Sequence, residues 1–289
     1  MEHYNNHGQQ QGKNNNRKVI MWTFLLITSF MIVEVIGGFM TNSLALLSDA
    51  GHMLSDSAAL GLSYVALIIG QRAVSRQKTF GYRRFEIFAA FINGLTLITI
   101  SIYIFYEAVK RFSAPPTVAS TGMLIVAVLG LVVNIAAAFI LKHGDNENLN
   151  VKSAFLHVIG DILGSIGAIT AALLILFFQW NIADPIASII VAVLIIFSGY
   201  RVTRDSFHIL MEGAPEHLNT DKIEEKILSL KEVIKVTDLH IWLITSDFPS
   251  LTCHVSVGQD VDEQVILHKI QTLLHDEFNM HHMTIQIEK

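Results

Sequence analysis

Cysteine is nearly absent from this chain of 289 residues: there is one, Cys253, so no intramolecular disulfide framework can form. That suits a soluble part held in a reducing compartment. Charge is scarce as well. Only 16% of residues are Asp, Glu, Lys or Arg, against about 25% in an average soluble protein, so the chain does not expose all of itself to water. The net charge is -5 and no basic stripe is present to neutralise phosphates, which argues against nucleic acid as a partner. No His-Glu-x-x-His sequence occurs, so a zinc protease would lack its general base. The opening stretch, residues 1–17, is rich in Asn, Gln and His and has no apolar run of the kind a signal peptide needs. It reads as a disordered tail, and its His3 and His7 are too few to be more than a weak lure for metal.

What the chain does have is apolar residues, 52% of the total, and the long runs lie almost entirely before Val202. A bilayer core of about 30 Å takes about 20 helical residues to cross. Six stretches are long enough: Val19–Met40, Leu44–Ile69, Phe85–Val109, Thr121–Leu141, Ala154–Phe178 and Ile182–Val202. The sequence therefore predicts an α-helical membrane domain of six transmembrane helices over residues 18–205, followed by a small cytosolic α+β domain over 206–289. Lys and Arg gather before the first run (Arg17, Lys18), between the second and third (Arg72 to Arg84), between the fourth and fifth (Lys142, Lys152) and after the sixth (Arg201, Arg204). By the positive-inside rule both termini face the cytosol and the chain spans the cell membrane several times. Lys110 and Arg111 lie on the opposite side and break the pattern.

The tail has the order α-β-β-α-β. Asn219 or Thr220 caps a helix with Asp221, Glu224 and Glu225 in its first turns. Val233–Ile244 and Leu251–Val257 alternate as strands, Val261–Phe278 has helical periodicity, and Met283–Ile287 is a last short strand. Helices covering one face of a small sheet follow from that order.

Ionisable groups inside the apolar runs carry the functional argument, because each costs at least about 2.5 kcal/mol in hydrocarbon. His-x-x-x-Asp occurs twice, as His52/Asp56 in the second run and His157/Asp161 in the fifth. Residues four apart share one helical face, so two facing pairs present two imidazoles and two carboxylates, a set suited to tetrahedral zinc. Drawn from the apolar runs alone, the pairs lie at different depths, offset by roughly 15 Å at 1.5 Å per residue. The offset shrinks if the fifth helix begins near Leu149. Glu34 and Glu107 are open to lining a water path or to snorkelling and bonding neighbours, with the second reading favoured; Asn93 and Asn134 read as interhelical hydrogen-bond partners, and Asp49 is left open between assisting ion exit and capping a polar cavity. Gly37, Gly38, Gly51, Gly160, Gly164 and Gly167 are small residues that let helices approach.

The stretches Ser43–Asp56, Phe80–Glu86, Ala154–Asp161, Met211–Pro215 and Leu239–Trp242 together resemble the cation diffusion facilitator family, in particular its cobalt-zinc-cadmium resistance exporters and zinc transporters. The resemblance implies a homodimer with six spans per protomer, a metallochaperone-like (ferredoxin-like) cytosolic domain, and efflux of zinc (Zn2+), cadmium or cobalt against protons by alternating access, with no enzymatic step and no organic cofactor. It also implies that His52, Asp56, His157 and Asp161 are the transport ligands. In the cytosolic domain it points to His240, His254, His281 and Glu288 as ligands, with His282, His268 and Cys253 as substitutes, and it suggests a charge pair between Arg84 and Asp205 near a dimer axis. Lys78 and Tyr82 occupy positions where some members bind a further metal, so no site is expected there.

A passive metal channel and a membrane sensor are the competing readings. A channel needs a continuous polar pathway rather than one focused ligand cluster, and a sensor has little use for a buried tetrad.

Overall fold

The computed structural model describes residues 5–54, 57, 61, 76–142, 149–245 and 248–289. Side chains of residues 5–20, 149–154, 156 and 157 lie outside the description. The chain divides into two compact units, Met1–Gly61 with Asn93–Tyr200, and Leu62–Ile92 with Arg201–Lys289.

The helices of the apolar region are α1 (Asn5–Thr41), α2 (residues 44–54), α3 (Phe85–Ser113), α4 (Ser120–Lys142), α5 (Leu149–Phe178) and α6 (Ala183–Leu210). Five of them are long and apolar enough to cross a membrane; the rest of the second predicted span lies outside the described residues. α1 begins well upstream of its apolar run, in the stretch expected to be a disordered tail, where no proline interrupts it. Large apolar side chains such as Phe39, Phe139, Phe177 and Phe197 are exposed, the arrangement of a surface that meets lipid rather than water. Inside, the contacts are made by small residues. Ala45 and Leu46 of α2, Ala127 of α4, Ala168, Ala171 and Ala172 of α5 and Ala183 of α6 form one buried cluster. Small side chains let helix backbones approach where lipid supplies no hydrophobic drive. A Cβ on Gly37 would lie 2.8 Å from Val126 of α4, so the first and fourth helices meet there by virtue of the missing side chain.

The second unit contains α7 (Thr220–Leu228), β1 (Val233–Thr245), β2 (Phe248–Val257), α8 (Glu263–Phe278) and β3 (His282–Glu288), the α-β-β-α-β order expected. Asn219 caps α7 by accepting from the Lys222 amide, and Asp262 caps α8 by accepting from the Gln264 and Val265 amides. α8 ends at Asn279 in the left-handed conformation (φ 52°), a common helix stop. The strands form a sheet ordered β1-β2-β3, antiparallel between β1 and β2 and parallel between β2 and β3. Leu251, Cys253, Val255 and Val257 point from β2 into a core with Ile223, Ile227, Ile266, Ile270 and Leu274 of the two helices. The alternate residues of β2, His254 among them, stand on the sheet's other face.

Candidate metal site

α5 begins at Leu149, the early start under which the offset in depth between the two His-x-x-x-Asp pairs shrinks. His52 on α2 and Asp161 on α5 meet, with His52 Nε2 4.0 Å from Asp161 Oδ1. Asp161 is buried to 1% side-chain exposure while His52 keeps 26%. Asp56 lies outside the described residues, and His157 lies on α5 with its side chain outside the description. Of the predicted tetrad, the structure thus brings together one member of each pair.

Two further carboxyl groups stand beside them. Glu34 of α1 and Asp49 of α2 are both buried, their side chains are within hydrogen-bond reach of one another, and the charge of Asp161 acts on both. Sequence reasoning treated Glu34 as a residue bonded to neighbours; its neighbour is an acid one turn from His52. A Cβ on Gly164 would lie 3.0 Å from Asp49 Oδ1, so that glycine makes room for the carboxyl. Gly160 and Gly167 have open space instead, because they line a cavity of about 690 Å³ between α2, α5 and α6. The cavity reaches Asp49 and His52 at one end and Trp180 and Ala183 at the other.

Two of the other polar residues singled out from the sequence have structural partners. Asn134 donates to Ser165 Oγ (3.2 Å), joining α4 to α5 as expected. Glu107 accepts from Arg111 Nε at 3.3 Å and lies 3.7 Å from Lys110 Nζ.

In the cytosolic unit, candidate ligands meet pairwise on the sheet face away from the helices, without a set of three or more placed to hold a metal ion among the described residues. His254 Nδ1 donates to Glu288 Oε1 at 2.7 Å, His240 Nε2 donates to Asp238 Oδ1 at 3.0 Å, and His254 Nε2 lies 3.9 Å from Asp238 Oδ2. Asp238 was missed from sequence. The β1–β2 register shifts between Thr237 and His240, and Asp238 sits there in the left-handed region (φ 53°). Such a bulge re-aims side chains, and here it turns an acid toward two histidines. His281 does not join them: it precedes β3, seven residue steps or about 23 Å of extended chain from Glu288, and it donates to Asn279 Oδ1 and packs edge-on against His275. Cys253 faces the helices, and burial pushes its thiol up to about 11, so it is not a ligand on this face. His268 is on exposed α8, and His282 is engaged by the rings of Phe80 and Phe248.

Within the chain, Arg84 has a partner that the sequence did not suggest. Its Nη2 lies 3.3 Å from Glu212 Oε1 in the same chain, just past the end of α6. Glu212 has φ 60°, in the turn that follows α6. Lys78 lies over the Tyr82 ring at 3.9 Å, a cation–π contact filling the positions where a further metal was not expected.

Known proteins carry the same pattern over nearly the whole length. Residues 20–211 match the cation efflux transmembrane domain and residues 215–289 the cation efflux protein cytoplasmic domain. A "Cadmium, cobalt and zinc/H(+)-K(+) antiporter" of Bacillus velezensis is 51% identical, over 98% of this chain and 91% of its own. "Zinc transporter ZitB" of Pectobacterium atrosepticum is 42% identical, over 98% and 88%. "Metal cation efflux system protein CzcD" of Cupriavidus metallidurans is 40% identical, over 94% and 87%. The two domain matches, the lipid-suited helices and the small α+β unit place this chain in the cation efflux, or cation diffusion facilitator, family.

Proposed function

We propose that this protein exports divalent metal, zinc foremost with cadmium and cobalt, and exchanges it for protons by alternating access as a homodimer in the cell membrane. Both termini lie in the cytosol in this reading, following the placement of Lys and Arg. The observation that carries it is the approach of His52 to Asp161 across two helices of an apolar unit. Uncompensated, neither group belongs there; together with Asp56 and His157 they make the nitrogen and carboxylate set that zinc takes. The names of the relatives support the choice of cations and the exchange.

The chemistry of exchange needs no separate proton channel. An imidazole binds metal only when neutral, and its ordinary pKa near 6.5 lies close to cytosolic pH. Metal arriving from one side displaces protons, and protons arriving from the other displace metal. The cytosolic group of Asp238, His240, His254 and Glu288 binds zinc in this reading and adjusts activity through the geometry of the dimer. Proteoliposomes holding the full chain test the reading: zinc accumulates against its own gradient when a pH gradient is imposed. Zinc that only equilibrates, whatever the pH gradient, identifies a channel instead.

A further inference from the structure

The start of α2 is held by a carboxylate from another helix. Asp184, in the first turn of α6 and 0% exposed, accepts from Ser43 Oγ at 2.6 Å, from the Leu44 amide at 2.8 Å and from the Ala45 amide at 3.1 Å. Ser43 Oγ in turn accepts from the Leu46 amide at 3.3 Å. The first amides of a helix have no partner within it, and here three consecutive ones are satisfied by Ser43 and Asp184. Arg111, near the end of α3, closes the arrangement. Its Nη1 lies 3.8 Å from Asp184 Oδ2 and donates to the Asn42 carbonyl at 2.8 Å; its Nη2 donates to Asn42 Oδ1 at 3.2 Å. Arg111 is the residue that broke the charge pattern of the loops, and this knot accounts for its position.

Helix formation alone does not call for so costly a device. An Asn or a second Ser would cap α2 as well, without the desolvation of a fully buried carboxylate. What the carboxylate adds is a tie in three directions, fixing the end of α2 to α6 and, through Arg111, to α3. α2 then carries Asp49 and His52. The eight residue steps from Leu44 to His52 make about 12 Å of helix, so a rotation or slip at the knot is delivered to the His52 imidazole almost undiminished. Ala45 and Ala183, neighbours of the knot in sequence, also line the cavity that reaches His52.

We infer that Asp184 is a positioning residue of the transport site: by clamping the outer end of α2 through Ser43 and the Leu44 and Ala45 amides, it sets the depth and rotation at which His52 faces Asp161. This rests on the transport reading but concerns a residue that touches no transported ion.

The test uses the full chain in proteoliposomes, with zinc and cadmium uptake measured on folded, monodisperse protein for the wild type, Asp184→Asn and Ser43→Ala. Asp184→Asn keeps a side chain of the same shape but turns a donor toward amide donors. Displacements of about 1 Å at a reacting site cost up to about a hundredfold, so the expected result is a rise of about tenfold in the zinc KM for Asp184→Asn, about threefold for Ser43→Ala, and a matching change in the zinc-to-cadmium ratio. A role confined to folding lowers the yield or the melting temperature and leaves KM and the ratio at wild-type values; that result overturns the inference. Should Asp184→Asn not fold, Ser43→Ala decides by the same two readouts. A wild type that moves no zinc defeats the transport reading itself, an outcome separate from any difference among the variants.

Discussion

Nε2 of His52 lies 4.0 Å from Oδ1 of Asp161, although one is on α2 and the other on α5. The contact joins the two repeats of His-x-x-x-Asp, and it leads to the first prediction. Asp161→Ala and His52→Ala each remove a proposed ligand from the apolar unit. Zinc flux falls at least about tenfold, since loss of even supporting groups at metal sites costs that much, while the proteins still insert and elute as the wild type does. Flux into vesicles, normalised to inserted protein, checks it; wild-type flux in either variant removes the pair from the site.

Gly164 gives a steric test. A methyl there meets Asp49 Oδ1 at 3.0 Å, whereas a methyl at Gly160 or Gly167 meets nothing within 4 Å. Gly164→Ala is expected to reduce zinc flux several-fold by displacing a buried carboxyl, and Gly167→Ala to change it little. Equal effects of the two alanines would place the glycines' role in general helix packing rather than beside Asp49.

Much of this was legible in the sequence for simple reasons. Long apolar runs declare membrane helices, and the alternation of β2 with the cap at Asn219 sets out the cytosolic domain. Two His-x-x-x-Asp repeats in apolar surroundings announce a site. Contacts that depend on tertiary neighbours were not legible. Asp184 reads as the start of an ordinary span until its carboxylate is seen at the end of α2. Asp238 looks like one more polar residue of a strand until the register shift turns it toward His240 and His254. Glu34 and Asp49 are on separate helices, and no spacing rule links them. The offset between the two pairs is enlarged by drawing α5 by its apolar residues, whereas the helix starts earlier, through Asn150 and Lys152.

The Arg84–Glu212 pair is exposed, with side-chain exposures of 39% and 65%, and such pairs are worth under about 1 kcal/mol. Arg84→Glu alone is expected to lower activity modestly, and Arg84→Glu with Glu212→Arg to restore it. Asp205→Arg should not substitute for the second change. A double variant no better than the single, or rescue through Asp205, contradicts the pairing.

The proposed cytosolic ligands separate by geometry. Asp238→Ala and His254→Ala are expected to raise the zinc concentration for half-maximal transport by a similar factor, because both belong to one linked group. His281→Ala, at the far end of β3, is expected to leave it unchanged. Zinc titration of flux at fixed pH reads this directly, and an effect of His281→Ala as large as that of His254→Ala would require a different ligand set.

The exchange itself is tested by following zinc and lumenal pH in the same proteoliposomes, with wild type beside Asp161→Asn. That variant keeps the shape of the side chain and removes the charge that competes for both metal and proton. In the wild type, zinc movement in one direction is accompanied by proton movement in the other, and in Asp161→Asn both are lost together. Zinc flux without proton counterflow in the wild type, or wild-type exchange in Asp161→Asn, would contradict the account.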